Sequence, residues 1–336
     1  MAEFNAKQQL PGLLDWMRAQ MKACGGKTAV IGISGGKDSS VTAALSVAAY
    51  GRENVVGVLM PDGVQPDIDY SNGLVDVLNI RHYTFNIHGG TSGILDEMAR
   101  VGIDASRQTK VNLPSRIRMA TLYAIAQSEE GGIVINTSNL SEDWVGYCTI
   151  YGDSAGAFSP LGMYTTEEVI ALGAELGLPE RFLIKPPSDG LTGKTDEDNL
   201  GFTYHAVNEY IRKGEVDPTI KEQIDRKHKV SRFKFQTLPV YQNGLPIVLP
   251  EETDYYNPNK KEAARSAARA KEAILSRERM APLKPQENAR GLAPRPRYIA
   301  RLRLEELRGL RDRVRCTWLR HGSLRIVTSI NRALLS

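Results

Sequence analysis

The chain has 336 residues, of which 41% are hydrophobic and 24% charged, and this balance excludes both a membrane bundle and a largely disordered protein. Its formal net charge is +4, but residues 255–336 hold 20 Lys and Arg against 7 Asp and Glu, so the rest of the chain is acidic. Only three cysteines occur and none forms a CxxC motif, which excludes a disulfide framework and a cysteine-built zinc site.

Hydrophobic periodicity predicts alternating helices and strands along the first 212 residues. The predicted elements are, in chain order, a helix over 13–23, a strand over 28–33, a helix over 39–50, a strand over 54–60, a helix over 67–78, a strand over 81–87, a helix entered through Pro114, a strand over 131–136, and helices over 165–176 and 199–212. The strands are apolar on both faces, which is typical of a parallel sheet with helices on both faces. We therefore predict an α/β fold whose ligands bind at the carboxyl ends of the strands.

The sequence also indicates where the protein resides. No run approaches the roughly 18 apolar residues that a transmembrane helix needs. The N-terminus lacks the basic start and apolar run of a secretory signal. Together with cysteines that suit a reducing compartment, these features predict a cytoplasmic protein without a membrane partner.

The composition changes beyond about residue 251. Residues 251–336 are rich in Arg and Ala, and four prolines and a glycine interrupt residues 281–297. We predict two domains, an α/β domain over 1–250 and a basic C-terminal extension over 251–336 that is partly helical or disordered. A nucleic-acid or anionic-surface module is the alternative for the extension. Nucleic acid is not expected, because the extension has few aromatic residues for stacking on bases.

A glycine-rich loop, Ser34-Gly35-Gly36-Lys37-Asp38-Ser39, joins the first strand to the next helix. Glycines allow a tight turn, and backbone N–H groups at a helix N-terminus converge on an anion. The two serine hydroxyls and the Lys37 ammonium can add contacts to phosphate oxygens. A carboxylate such as Asp38 among phosphates suits a site where Mg²⁺ bridges them. The pattern therefore predicts a nucleotide site that takes a metal.

This loop resembles the SGGxDS PP-loop of the ATP pyrophosphatases, which cut ATP between the α and β phosphates, and it lacks the Walker spacing. Residues 136–153, NTSNLSEDWVGYCTIYGD, are similar to the GTxNxS/TE and GYxTxYGD stretch of the NAD⁺ synthetase family. Residues 116–119, 185–191 and 195–204 resemble further blocks of that family in order and spacing. The resemblance extends from about residue 10 to about residue 235 and implies an adenine nucleotide α-hydrolase-like fold.

The resemblance implies an ammonia-dependent ligase that forms a C–N bond. In that reaction the nicotinate carboxylate of deamido-NAD attacks the α-phosphate of ATP and releases pyrophosphate. Ammonia then attacks the acyl adenylate, which gives NAD⁺ and AMP. The resemblance further implies Mg²⁺, ATP as co-substrate and a homodimer, and residues 1–250 as the ATP pyrophosphatase domain.

Carried over by position, the resemblance assigns the metal to Asp38 and Glu142, and catalytic roles to these two and Asp153. The residues assigned to deamido-NAD are Arg116, His228 and Lys229. The residues assigned to ATP are Gly32, Ile33, Ser34, Gly35, Gly36, Lys37, Asp38, Ser39, Thr137, Lys185 and Ser188. Simpler alternatives stay open, since Glu142 could be an ordinary acid of a first helical turn and His228-Lys229 part of a solvated basic face.

Three positions depart from the pattern of many family members. Ile150 stands where they have Lys, Ala157 where they have Asp, and Thr166 where a lysine approaches the ATP phosphates. These departures bear more on which substrate accepts the adenylate than on how ATP is cleaved. The alternative is a PP-loop enzyme that adenylates a nucleotide base or tRNA, with the basic extension binding nucleic acid.

The nitrogen source is expected to be free ammonia. Only about thirty residues precede the glycine loop, which is too few for a glutaminase domain. A separate partner glutaminase is the alternative.

Overall fold

The computed structural model describes residues 4–184, 195–239 and 241. Its sheet has four parallel strands in the order β3-β2-β1-β4. The strands are β1 (Thr28–Gly32), β2 (Val55–Leu59), β3 (Arg81–Thr84) and β4 (Gly132–Val134). The helices are α1 (Ala6–Ala23), α2 (Lys37–Tyr50), α3 (Ile68–Leu78), α4 (His88–Arg100), α5 (Arg107–Ser128), α6 (Leu140–Val145), α7 (Thr166–Glu175), α8 (Asp196–Leu200), α9 (Tyr204–Lys213) and α10 (Pro218–Ser231). The predicted α/β class is confirmed, whereas Lys185, Ser188 and the extension lie outside the described residues.

The two central strands, β1 and β2, are buried on both faces because helices pack on each side of them, whereas all four residues of the edge strand β3 are exposed, so the expectation of strands that are apolar on both faces is wrong for β3. Ala29 and Ile31 of β1 pack into a core shared with α1, α2, α3 and α7. Val30 of β1 and Val56 of β2 pack on the other side, against α5. This two-sided burial explains why β1 and β2 have continuous apolar runs rather than alternating ones. Among the described residues, no helix is long and apolar enough to span a membrane.

The order of the strands reverses beside β1. From β1 the chain moves outward to β2 and β3, and it then returns to place β4 on the opposite side of β1. Ala29 pairs with Val55 of β2 and with Ile133 of β4. The loops that follow β1 and β4 therefore leave the same sheet edge side by side, which is where open α/β sheets bind ligands.

Several helices differ from the predicted ones. α1 begins at Ala6, and α5 begins at Arg107, where the Ser106 side chain accepts a hydrogen bond from Thr109 N, so Pro114 lies inside the helix. The predicted helix over 199–212 is divided into α8 and α9 at Gly201, whose φ of 84° ends α8. Helices α4, α6 and α10 were not predicted, although Asp217 before Pro218 is a recognisable start signal for α10.

A smaller core lies beside the sheet and is built by α6, α8, α9 and α10. Its buried side chains are Val145, Leu200, Phe202, Tyr204, Val207 and Ile224. This packing brings Tyr204 and α10 next to α6, which directly follows the loop after β4.

Candidate functional site

The loop after β1 is braced by its own serines. Gly35 has a φ of 76°, and a Cβ on it would lie 2.7 Å from the Tyr70 Cβ, so both the backbone and the space require glycine. The hydroxyls of Ser34 and Ser39 lie 3.1 Å apart, and Gly36 N donates to Ser34 Oγ at 3.2 Å. The predicted loop is therefore a rigid turn against α3.

The N-terminus of α2 directly follows this turn, and its first backbone amides lie outside the helix's own hydrogen bonds. Gly36 precedes the helix, and no side chain caps it. Ser40 N donates to Gly36 O at 3.1 Å, so the amides of residues 37–39 precede the first hydrogen bond of the helix. Such a helix start binds phosphate groups through its N–H donors and its dipole.

Gly32 and Ile33 offer no polar side chain to a ligand. They act on the glycine loop through their contacts with β2 and the residue that follows it. A Cβ on Gly32 would lie 3.2 Å from the Met60 side chain, and Ile33 N donates to Val58 O at 2.8 Å. Ile33 itself is buried. These two residues therefore set the path of the loop.

The loop after β4 meets the glycine loop through one buried amide. Asn139 Nδ2 donates to Asp38 Oδ1 at 2.9 Å, while Asn139 Oδ1 accepts from Glu142 N at 3.1 Å as the N-cap of α6. Thr137 is half-buried in the same loop. The amide orients Asp38 and the start of α6 together, although these residues are about a hundred positions apart.

Asp38 and Glu142 converge on a single cation, the Lys37 ammonium. Lys37 Nζ lies 2.9 Å from Asp38 Oδ2 and 3.5 Å from Glu142 Oε1. Burial, and next the Asp38 carboxylate, raise the pKa of Glu142 above its ordinary value, and Lys37 opposes this shift. Burial alone would lower the pKa of Lys37, but Asp38 and Glu142 together raise it above its ordinary value. The two carboxylates thus form a negative site that holds a positive charge.

This pair suits Mg²⁺. The part of the chain that the structure describes holds no group of three or more His, Cys, Asp or Glu side chains arranged for a metal. Mg²⁺ is nevertheless commonly bound by one or two carboxylates, with waters and substrate phosphates as the other ligands. Asp38 and Glu142, beside an amide-rich helix start, match that donor set.

Tyr204, a residue of the small core, lies beside Lys37 and the two carboxylates. Its side chain is buried, and its hydroxyl has no hydrogen-bond partner among the described residues. Burial, and next the charges of Glu142 and Asp196, raise the pKa of Tyr204 above its ordinary value. Lys37 Nζ lies 6.0 Å from the centre of the Tyr204 ring. A buried hydroxyl donor is therefore available beside the acidic pair.

Asp153 lies in a different group of contacts, between α5 and the loop after α6. Its Oδ1 accepts from Ser115 Oγ at 2.7 Å and from Thr149 N at 2.9 Å. Arg116 is half-buried on α5, and its Nε donates to Ile150 O at 3.3 Å. The structure therefore brings Arg116 and Asp153 to the same loop, apart from the carboxylates on Lys37.

His228 lies on α10 and packs against Trp144 of α6. Its Nδ1 lies 2.9 Å from Trp144 O, and the two rings pack at a tilt of 32° with centres 4.2 Å apart. Lys229 is exposed on the same helix. Lys234, which was not predicted, donates from Nζ to the carbonyl oxygens of Gly146 and Cys148 at 2.8 and 2.7 Å, so it holds the loop that leads to Asp153.

The three departing positions have distinct environments. Ile150 is half-buried and Ala157 is exposed. Thr166 is buried, and its hydroxyl accepts from Asn208 Nδ2 at 2.9 Å while its backbone N donates to Ser141 Oγ at 3.1 Å. Thr166 is thus committed to an internal network and does not extend toward the loops.

Sequence reasoning missed Asn139 and Tyr204 as site residues. Both lie in the quoted blocks, and Asn before a helix start is a capping signal. Nothing in the pattern shows, however, that the Asn139 amide also donates to Asp38 or that Tyr204 packs beside Glu142. The assembled site can bind phosphates on α2, hold a divalent cation on two carboxylates and exclude water on the Tyr204 side.

Comparison with known proteins agrees with this arrangement. A sequence model of the family described as NAD synthase matches residues 10–241. The NH(3)-dependent NAD(+) synthetase of Mycoplasmopsis pulmonis is 33% identical over 229 residues, which are 67% of this chain and 86% of that protein. The solved NMN synthetase from Francisella tularensis has a TM-score of 0.66 and 32% identity, over 72% of this chain and all of that one. The NH3-dependent NAD synthetase of Campylobacter jejuni, solved with a nitrate ion, has a TM-score of 0.58 and 28% identity, over 71% of this chain and all of that one.

Proposed function

The chain belongs to the NAD synthase family, and from this premise we propose that it is an ammonia-dependent NAD⁺ synthetase. The enzyme adenylates the nicotinate carboxylate of deamido-NAD with ATP and then amidates it with ammonia. The observation that carries the proposal is the convergence of Asp38 and Glu142, from the first turns of α2 and α6, on the Lys37 ammonium. This geometry suits cleavage of ATP at its α-phosphate, because the pyrophosphate that leaves needs donors and positive charge.

In the adenylation step the protein mainly positions charge. The amides of residues 37–39 and the hydroxyls of Ser34 and Ser39 bind phosphate oxygens, while the substrate carboxylate attacks phosphorus opposite the pyrophosphate. Asp38 and Glu142 would hold Mg²⁺, which when bound neutralises charge on the phosphates. Thr137, in the loop beside Asn139, is assigned to ATP. We also assign Lys185 and Ser188 to ATP; both lie outside the described residues.

In the amidation step the nitrogen must lose a proton after it attacks the acyl adenylate. We assign this proton to Asp153. Hydrogen bonds from Ser115 and Thr149 fix its Oδ1, which orients the carboxylate and leaves Oδ2 for the reacting nitrogen. AMP then leaves as the amide forms.

Deamido-NAD is assigned to Arg116, His228 and Lys229. Arg116, on α5, contacts the loop that carries Asp153, which places a cation for the substrate phosphates near the proposed acceptor of the proton. His228 uses Nδ1 for Trp144 O and packs its ring against Trp144, so we assign Nε2 to the substrate. Lys229 is exposed and contributes charge at the rim.

The second candidate acceptor is the mononucleotide, nicotinate mononucleotide, with NMN as the product. Two observations favour it. The Francisella tularensis protein with a TM-score of 0.66 is named an NMN synthetase. In addition, Ile150 and Ala157 are uncharged where many family members have charged contacts to the larger substrate. The kcat/KM values of the purified protein for the two acids, measured with ATP and ammonium, distinguish the candidates.

A product assay tests the reaction itself. Purified protein with ATP, Mg²⁺, deamido-NAD and ammonium should form NAD⁺, AMP and pyrophosphate in equal amounts. ADP as the nucleotide product would contradict cleavage at the α-phosphate. If AMP forms with nicotinate mononucleotide but not with deamido-NAD, the adenylation chemistry stands and only the assigned acceptor changes.

We further propose a cytoplasmic homodimer whose catalytic domain covers residues 1–250 and whose residues 251–336 form a separate extension. The extension is assigned no role in catalysis, because the family match ends at residue 241. Light scattering of the full chain measures the oligomeric state. A chain that ends after residue 250 should keep its kcat, and a severe loss would make the extension part of the enzyme.

A further inference from the structure

We propose that Lys37 competes with the metal for Asp38 and Glu142 in the nucleotide-free enzyme, and that ATP phosphates draw its ammonium away so that metal and nucleotide bind together. Lys37 would therefore be a positioning residue that makes metal binding depend on nucleotide. The inference rests on the metal role proposed above for the two carboxylates.

The position of Lys37 carries this inference. Its Nζ is 2.9 Å from Asp38 Oδ2 and 3.5 Å from Glu142 Oε1, so it lies between the two groups that the metal would join. Only 10% of the Lys37 side chain is exposed, against 19% and 20% for the two carboxylates. The ammonium thus offsets one of the two negative charges of a partly enclosed acidic pair, and a divalent cation must displace it to reach the same oxygens.

The place of Lys37 in the chain explains how the ammonium can be released. Lys37 is the first residue of α2, and its backbone belongs to the helix start that faces phosphate. A lysine is a compact charge on a flexible four-carbon stem, so Nζ can move without a change in the backbone. Phosphate oxygens bound at residues 37–39 therefore offer Nζ a new partner within reach of its old one.

The remaining contacts of Asp38 agree with an exchange of cations. Asn139 donates to Asp38 Oδ1, whereas Lys37 contacts Oδ2. The amide can thus keep the carboxylate oriented while the partner of Oδ2 changes. Tyr204, whose buried hydroxyl has no partner among the described residues, lies beside the same site. Its hydroxyl is a donor that the rearranged site can use.

The test measures metal and nucleotide binding separately in the full-length protein. Mn²⁺ binding to the nucleotide-free protein is followed by electron paramagnetic resonance. Binding of α,β-methylene-ATP, which cannot be cut between the α and β phosphates, is followed by calorimetry without metal. The variants are Lys37→Met and Lys37→Gln, with Lys37→Arg as the conservative one. Lys27→Met is the matched control, because Lys27 pairs with Glu130 at 2.8 Å on the exposed surface.

The two measurements should move in opposite directions. Lys37→Met should lower the Kd for Mn²⁺ about tenfold, within the usual range for coupling between two sites, and raise the Kd for the nucleotide by a similar factor. Lys37→Arg should stay within about threefold of the wild type in both, since it keeps the charge that sets this coupling, and Lys27→Met should match the wild type. A merely structural role would weaken both ligands together.

Two outcomes would overturn the inference. One is an unchanged or weaker affinity for Mn²⁺ in the folded Lys37→Met and Lys37→Gln variants. The other is a gain in Mn²⁺ affinity that survives when Glu142→Gln is added to Lys37→Met, because the metal then does not use this carboxylate. Neither outcome bears on the products of the wild-type reaction, so the proposed NAD⁺ synthesis is tested independently.

Discussion

Replacing Asn139 by alanine tests whether one buried amide joins the loops after β1 and β4. The wild-type side chain caps α6 through Glu142 N and donates to the Asp38 carboxylate. Loss of an N-cap costs about 1 kcal/mol, and loss of a hydrogen bond to a charged group about 1.5–3 kcal/mol. We therefore expect Asn139→Ala to lower the free energy of unfolding by about 2.5–4 kcal/mol.

Urea unfolding, followed by circular dichroism, measures this change against a matched variant. Asn5 caps α1 in the same way, by accepting from Gln8 N, but its contact is exposed. Asn5→Ala should thus lose only about 1 kcal/mol. Asn139→Asp keeps the capping oxygen but places a second carboxylate against Asp38, so it should be no more stable than Asn139→Ala. A loss in Asn139→Ala that does not exceed the loss in Asn5→Ala would refute the reasoning.

Three other substitutions probe the site. Gly35→Ala should abolish nucleotide binding measured by calorimetry, because the residue has a φ of 76° and no room for a Cβ. Gly102→Ala is the control and should retain binding, because Gly102 is also at positive φ but has open space around it. Lys234→Met should raise the KM for the nicotinate substrate and leave the KM for ATP unchanged, because Lys234 holds the loop after α6; equal effects on both would contradict this. Thr166→Lys should lower the melting temperature and should not restore a phosphate contact, because Thr166 is buried and hydrogen-bonded to Asn208. A gain in ATP affinity would contradict the observed packing.

The parallel sheet could be predicted because its signals are local. Each buried strand is a short apolar run followed by glycine or a turn, and such runs need no knowledge of distant residues. The helices were harder to predict where local signals disagree. Pro114 suggested a helix start, yet Ser106 begins α5 earlier, since a proline removes one N–H but packing can retain the helix around it. α10 was missed because its surface is mostly charged, and the packing against α6 and α9 that stabilises it is not visible in the sequence.

By itself the sequence determined the backbone of the nucleotide loop and the order of the motifs, because glycines, serines and a helix start encode a phosphate-binding turn within a few residues. The tertiary structure alone decided which distant groups meet there. It placed Asn139 and Glu142 against Asp38, set Asp153 apart with Ser115, and turned Thr166 into the interior. The physical reason is that these contacts follow from the order of strands in the sheet and the packing of the small core, which no local pattern contains.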